Sequence, residues 1–412
     1  MLPLVKTKVK NLKDYQDIVQ DSLIGEIKNL SRNLQRLRVL MINSTPRGGG
    51  VAEVLKGLVP LMKGIGIEAE WHTIPAREKF FKITKKIHNL LQGKGKKLTK
   101  KERDSYLNYI EKISCLTEDM KADIWVIHDP QPVGLINYLS PSKFVWRAHL
   151  DLTSPKNKAW NFISSFLGNY KKIIVSSPEY LKKNIKEKGV VFPPGIDPLA
   201  LKNQFFDKEK AKIILRSFGI STEKPLVSQV SRFDYFKDPL GVIAAYKKAK
   251  KKIPSLQLAL VGFFLANDDP QAVEVYEKIR REAKGDSDIF LFANINMLSG
   301  LKVDTFVNAI QTASNVVVQK SLKEGFGLTV TEAMWRKKAV IGGNVGGIKM
   351  QIENGRNGFL VERSGEAARR IVQLIENPKL AEEMGKEAKA SAKENFLIPR
   401  VLRDYLRVFK SL

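Results

Sequence analysis

Short apolar runs alternate along this chain with longer stretches whose apolar positions recur every three or four residues. The first run, Val39 to Asn43, leads into a glycine-rich turn and a helical pattern from Val51. Further runs lie at Ile67 to Ile74, Ile124 to His128, Phe144 to His149 and Ile173 to Ser177. Strands buried on both faces read as continuous apolar runs. Their alternation with helices predicts a parallel sheet covered on both sides. A helix is predicted before them over about Asp17 to Leu37. The basic stretch from Arg77 to Glu118 is predicted to be helical and to cover one sheet edge.

The segment Phe192 to Pro198 holds three prolines and a glycine and breaks any regular element, which makes it the candidate hinge. The alternation then restarts. Strands are predicted at Leu226 to Val230, Gln257 to Val261, Ile289 to Phe292, Val316 to Gln319 and Ala339 to Ile341. Helices are predicted at Glu366 to Ile375, Leu380 to Glu394 and Ile398 to Phe409. The expected class is α/β: two Rossmann-like, doubly wound domains, 1–197 and 198–394, facing a ligand cleft at the carboxyl ends of their sheets.

A length of 412 residues, 43% of them hydrophobic, supports two cores rather than one. No apolar run approaches the ~20 residues of a membrane span. The first residues carry lysines where a signal peptide needs its apolar core, so a cytoplasmic protein is expected. Cys115 is the single cysteine, and four histidines accompany it, which argues against a disulfide and a structural zinc site. The net charge of +27 allows a nucleic-acid-binding module or a membrane-surface transferase. The lysine run Lys247 to Lys252 ends a helical pattern and lacks interleaved aromatics. A solvated surface around an anion-binding enzyme is the simpler reading, with no specific nucleic-acid partner.

Two segments of the second half carry chemistry. Glu324-Gly325-Phe326-Gly327-Leu328-Thr329 leads from a strand into a helix that also carries Glu332. Glycines admit a ligand close to the backbone, and a helix start suits a diphosphate. The two glutamates can bracket an extended ligand, Glu324 toward its sugar and Glu332 toward a ribose. Ser231 to Pro239 follows another strand and offers Arg232 and Lys237 to one anion. The plain alternatives are a glycine-rich connector and two surface cations.

In the first half, Thr45-Pro46-Arg47-Gly48-Gly49-Gly50 joins a strand to a helix but lacks the spacing of a dinucleotide fingerprint, so a nicotinamide site is rejected. His128-Asp129-Pro130-Gln131 and Arg147-Ala148-His149-Leu150-Asp151 end two strands and offer donors and acceptors to sugar hydroxyls. Asn267 to Pro270 reads as a helix cap, not a metal site. Met334 and Trp335 read as packing residues.

The two glutamates of EGFGLTVTEA, with SRFD and KDP upstream, resemble the donor signature of retaining glycosyltransferases of the GT-B fold. With GGGVAEVL, HDPQP, WRAHLD and PPGIDPL, the likeness extends over nearly the whole chain to the trehalose glycosyltransferring synthases. The resemblance implies transfer of glucose from a nucleoside diphosphate glucose, UDP- or ADP-glucose, to glucose, without a metal or other cofactor. It implies that Arg232 and Lys237 hold the diphosphate, and that Glu324 binds the transferred glucose. Glu332 would bind the ribose, and the backbone of Gly325 to Thr329 would line the phosphates. It places His149 at the donor sugar, and Asp129 with Gly49 and Gly50 at the acceptor, beside the polar strand-end residues Gln131, Arg147 and Asp151. It implies that 395–412 crosses back to the first domain. Thr45 to Arg47 and Ala148 depart from the family pattern. A trehalose phosphorylase of the same fold is the rival enzyme, and a homodimer is an open alternative.

Overall fold

The computed structural model describes residues 1–139, 142–264 and 271–412. The chain divides into two compact units. One comprises Met1–Gly195 and Leu397–Leu412, and the other the described residues from Ile196 to Phe396.

The first unit is built on six strands, β1 (Arg38–Asn43), β2 (Glu68–Thr73), β3 (Ile124–His128), β4 (Lys143–Arg147), β5 (Lys172–Val175) and β6 (Gly189–Val191). They lie in the order β2-β1-β3-β4-β5-β6, with every neighbouring pair parallel. Between them run α1 (Asp21–Arg32), α2 (Gly50–Gly64), α3 (Glu78–Leu91), α4 (Lys100–Ser114) and α5 (Asn157–Leu167), α1 preceding the sheet. The backbone at Pro3 and Val5 pairs with β2, so the sheet's outer strand is not left open.

The basic stretch predicted as one helical edge is two helices, parted near Gly93 to Gly95. They cover a face of the sheet, not its edge. Phe80, Ile87, Tyr106 and Ile110 pack in one core with Leu40, Trp125 and Trp146. Thr99 starts α4 with a capping box, accepting from Glu102 N–H at 3.2 Å while the Glu102 carboxylate accepts from Thr99 N–H at 2.8 Å. The early helix is shorter than predicted, spanning Asp21–Arg32 after a 3-10 turn at Leu12–Tyr15.

The second unit holds β7 (Leu226–Val230), β8 (Gln257–Val261), β9 (Ile289–Phe292), β10 (Val316–Gln319), β11 (Val340–Gly343) and β12 (Phe359–Val361). Its order is β12-β11-β10-β7-β8-β9, again wholly parallel. The helices are α6 (Lys208–Ser217), α7 (Pro239–Lys250), α8 (Ala272–Ala283), α9 (Val303–Ala313), α10 (Leu328–Trp335), α11 (Gly346–Lys349), α12 (Ser364–Glu376) and α13 (Pro378–Asn395). One face of the sheet packs on α7, α8 and α12, the other on α6 and α9.

The last helix, α14 (Ile398–Lys410), belongs to the first unit and packs on α1 and α2. Arg400 pairs with Asp404 at 2.6 Å and donates to the carbonyls of Pro193 and Pro194 at 2.7 and 3.1 Å. Among the described residues, no helix is long and apolar enough to cross a membrane.

Candidate active site

The strand order of the second sheet reverses between β7 and β10, where ligands of doubly wound sheets bind. The two loops singled out in this half leave those two strands. In the loop after β7, Asp234 accepts from Phe236 N–H at 2.7 Å. Asp238 adopts φ 51° and accepts from Gly241 N–H at 3.1 Å, which starts α7. The loop after β10 is tied to it by Leu322 N–H donating to the Phe236 carbonyl at 2.7 Å and by the ion pair of Lys320 with Asp238.

These ties bring Lys237 to Glu324. Lys237 Nζ lies 2.5 Å from Glu324 Oε2, and the Ser321 hydroxyl donates to the same oxygen at 3.0 Å. Glu324 is buried, while Lys237 and Arg232 are half-buried. Gly327, at φ 90°, turns the chain into α10. Gly347 lets α11 approach the turn, because a Cβ there would lie 2.2 Å from Phe326 Cα. Gly347 N–H donates to the Glu324 carbonyl at 3.0 Å, and the Gln351 amide donates to the Phe326 carbonyl at 2.5 Å. Thr331 on α10 donates to Gln351 Oε1 at 2.6 Å. The turn Glu324 to Gly327 is thus held from both sides at the positive end of a helix dipole.

Glu332 stands one turn into α10 and is buried, 2% exposed. Its Oε1 is 2.7 Å from Lys202 Nζ.

In the first unit the order reverses between β1 and β3. The loop after β1 passes into α2 at Gly49 and Gly50, and a Cβ on Gly49 would meet no atom within 4 Å. After β3, Asp129 adopts φ 63° and its Oδ1 accepts from His149 N–H at 2.7 Å. The Asp129 carbonyl accepts from the Trp146 indole at 3.0 Å. The loops after β3 and β4 are therefore one assembly. His128 Nδ1 lies 2.9 Å from His149 Nε2, the two rings stacked with centroids 5.2 Å apart. Burial, then the charge of Arg147, lowers the His128 pKa to about 3, and His149 also falls well below the usual range. Both imidazoles are neutral at physiological pH.

Gln131 is buried, and its Oε1 has no hydrogen-bond partner among the described residues. Arg147 is placed differently from an open strand-end cation. It is 1% exposed, donates to the Phe192 carbonyl at 2.9 Å and lies 4.8 Å over the Phe192 ring. Burial lowers its pKa to about 10. Asp151 is also buried and accepts from Thr153 N–H at 2.8 Å and the Thr153 hydroxyl at 2.5 Å. Asn267 to Pro270 lies outside the described residues.

Residues 41–182 match the family described as trehalose synthase, N-terminal domain, and residues 210–391 match glycosyl transferases group 1. Trehalose synthase of Pyrococcus horikoshii is 41% identical over 98% of this chain and 97% of that protein. The chain belongs to the trehalose synthase family. The trehalose synthase of Rubrobacter xylanophilus is 40% identical over all of this chain and 99% of its own. Among solved structures, Anabaena HepE in complex with UDP-glucose superposes with a TM-score of 0.68 at 17% identity, covering 91% of this chain and all of that one. The fold is that of the GT-B glycosyltransferases, and the protein is a glycosyltransferase.

For this member of the trehalose synthase family, the sequence does not single out Lys202, Ser321 and Gln351, which respectively hold Glu332, Glu324 and the turn Glu324 to Gly327. It also gives His149 without its partner His128. Nothing in the sequence around these three residues marks the pairing.

Proposed function

We propose that the protein transfers glucose, with retention, from a nucleoside diphosphate glucose to free glucose and releases α,α-trehalose. The observation that carries the donor half is the contact of Lys237 with Glu324 at the strand-order reversal, beside the start of α10. A cation and a carboxylate held together there can bind both ends of one sugar diphosphate. Arg232 and Lys237 take the diphosphate, with the backbone of Gly325 to Thr329 along the phosphates. Glu324 takes the hydroxyls of the transferred glucose, and Glu332 the ribose. The residues before about 197 bind the acceptor and those of 198–394 the donor.

In the step, an acceptor hydroxyl oxygen forms a bond to the anomeric carbon as the bond from that carbon to the phosphate oxygen breaks on the same face. The leaving phosphate takes the acceptor proton, and the two cations stabilise its charge. No metal is needed for this charge balance. Asp129 and Gln131 bind the acceptor together with the turn at Gly49 and Gly50, where a Cβ on Gly49 would meet no atom within 4 Å. His149, neutral, is a hydrogen-bonding group for the sugar. Arg147 and Asp151 act through the loops they brace. The single cysteine suits a reducing compartment, and the cytoplasm is the proposed site of action.

The test mixes UDP-glucose or ADP-glucose with glucose, glucose 6-phosphate or phosphate and identifies the product. Trehalose from glucose supports the reading. Trehalose 6-phosphate as the main product, or phosphorolysis of trehalose without a nucleotide, overturns it.

A further inference from the structure

Glu332 is held at both ends by one closed set of contacts. Its carboxylate pairs with Lys202 at 2.7 Å. Its backbone carbonyl accepts from Arg336 Nη1 at 2.6 Å. Arg336 Nε donates to Asn308 Oδ1 at 2.9 Å, and Asn308 Nδ2 donates to the carbonyls of Leu201 and Gln204 at 3.2 and 3.0 Å. Trp335, on the same helix as Glu332, donates its indole N–H to the Asn203 carbonyl at 2.9 Å. The short turn Leu201–Asn203 that presents Lys202 is therefore anchored to α9 and α10, not merely adjacent to them.

A lysine carries four flexible carbons and loses side-chain freedom when fixed. Here the turn beneath it is fixed by three hydrogen bonds and the lysine side chain is 14% exposed, so the orientation is imposed by the fold. A buried carboxylate without a counterion is unstable as an acceptor of hydrogen bonds, because burial penalises its charge. We infer that Lys202 is a positioning residue for nucleotide recognition: it holds the Glu332 carboxylate oriented to accept from the ribose hydroxyls of the donor. This rests on the proposal that Glu332 binds the ribose, and it adds a residue, and a mechanism for discriminating ribose from deoxyribose, to that proposal.

The test compares wild type with Lys202→Met, Lys202→Arg and Glu332→Gln. It measures kcat and KM for the nucleoside diphosphate glucose, and the binding of UDP and ADP against their 2′-deoxy and 3′-deoxy counterparts. Lys202→Met should raise the donor KM about tenfold or more, the scale for weakening a hydrogen bond to a charged group, with kcat changed far less. Its preference for ribose over deoxyribose nucleotides should shrink toward that of Glu332→Gln. Lys202→Arg, which keeps the charge and remains foldable if the methionine variant is not, should restore part of both. A Lys202→Met protein that melts lower but keeps the wild-type ribose preference overturns the inference. If Glu332→Gln itself leaves the ribose preference intact, the ribose assignment fails first. If Glu332→Gln abolishes the preference and Lys202→Met does not, only the role of Lys202 fails.

Discussion

Lys237 Nζ and Glu324 Oε2 are 2.5 Å apart, although they leave different strands on either side of the sheet's reversal. Each residue therefore fixes the other, and neither is an independent part. Lys237→Ala should lower turnover by about 10²-fold or more, the scale for losing an electrostatic stabiliser of a developing charge. Glu324→Gln should also be severe, and the double variant should lose much less than the product of the two losses. Steady-state kinetics on the four proteins checks this, and full additivity would separate the two roles.

On the proposed reading, Arg232, Lys237 and the start of α10 supply the positive charge that the leaving diphosphate needs. Turnover should accordingly persist after dialysis against a chelator and should not rise with added Mg²⁺. Loss of activity with chelator that Mg²⁺ restores would contradict the charge balance proposed for the leaving group.

Most of the fold is readable because both sheets are parallel and buried. Runs such as Val316 to Val318, which open β10, are apolar on both faces and short enough to exclude helices. The edge strands Gly189–Val191 and Phe359–Val361 escape notice because three residues make no run. The loops at the strand ends are legible through glycine, proline and charge. What they touch is not. Arg147 sits next to Trp146, and successive strand residues point to opposite faces. Trp146 enters the core with α3 and α4 residues, so Arg147 goes to the face that Phe192 and Tyr405 of α14 occupy, their rings 5.2 Å apart. That parity was available in the sequence, but the return of α14 that covers the face was not. Lys202 and Glu332 lie far apart in the chain and meet only through the packing of α9 and α10.

The stacked histidine pair, with His128 buried, predicts an acid limit to stability. His128 has its pKa lowered to about 3 in the folded chain, against roughly 6.5 when unfolded. Between these values the unfolded state binds more protons, so stability falls as pH drops from 6.5. His128→Gln should flatten the decline of the melting temperature between pH 6.5 and 4. An unchanged slope would mean that other groups govern acid unfolding.

Arg400 is buried with Asp404 and donates to two carbonyls of the segment that ends the first unit's early part. Arg400→Met should cost about 2–4 kcal/mol, because it leaves a buried carboxylate and two carbonyls short of a donor. Arg407 on the same helix pairs with Glu26 at 2.5 Å but is more than half exposed. Arg407→Ala should stay within about 1 kcal/mol. Denaturant unfolding of the two variants checks the contrast, and equal losses would mean that the helix amphipathicity, not the buried pair, holds α14.

Gln131 separates a binding role from a structural one. It is buried, yet its Oε1 has no partner among the described residues. A buried carbonyl left unpaired costs stability, and such groups are rare unless something binds there. If that something is the acceptor sugar, Gln131→Met, similar in length and apolar, removes the interaction without orphaning a protein group that the oxygen had satisfied. The melting temperature should therefore hold or rise slightly, while the acceptor KM rises about tenfold, the scale of one or two hydrogen bonds. Affinity for the nucleotide should stay within a few-fold, because its proposed ligands are on the other unit. The structural alternative gives the opposite pattern, a lower melting temperature with acceptor KM unchanged. Measuring both quantities on one preparation decides between them.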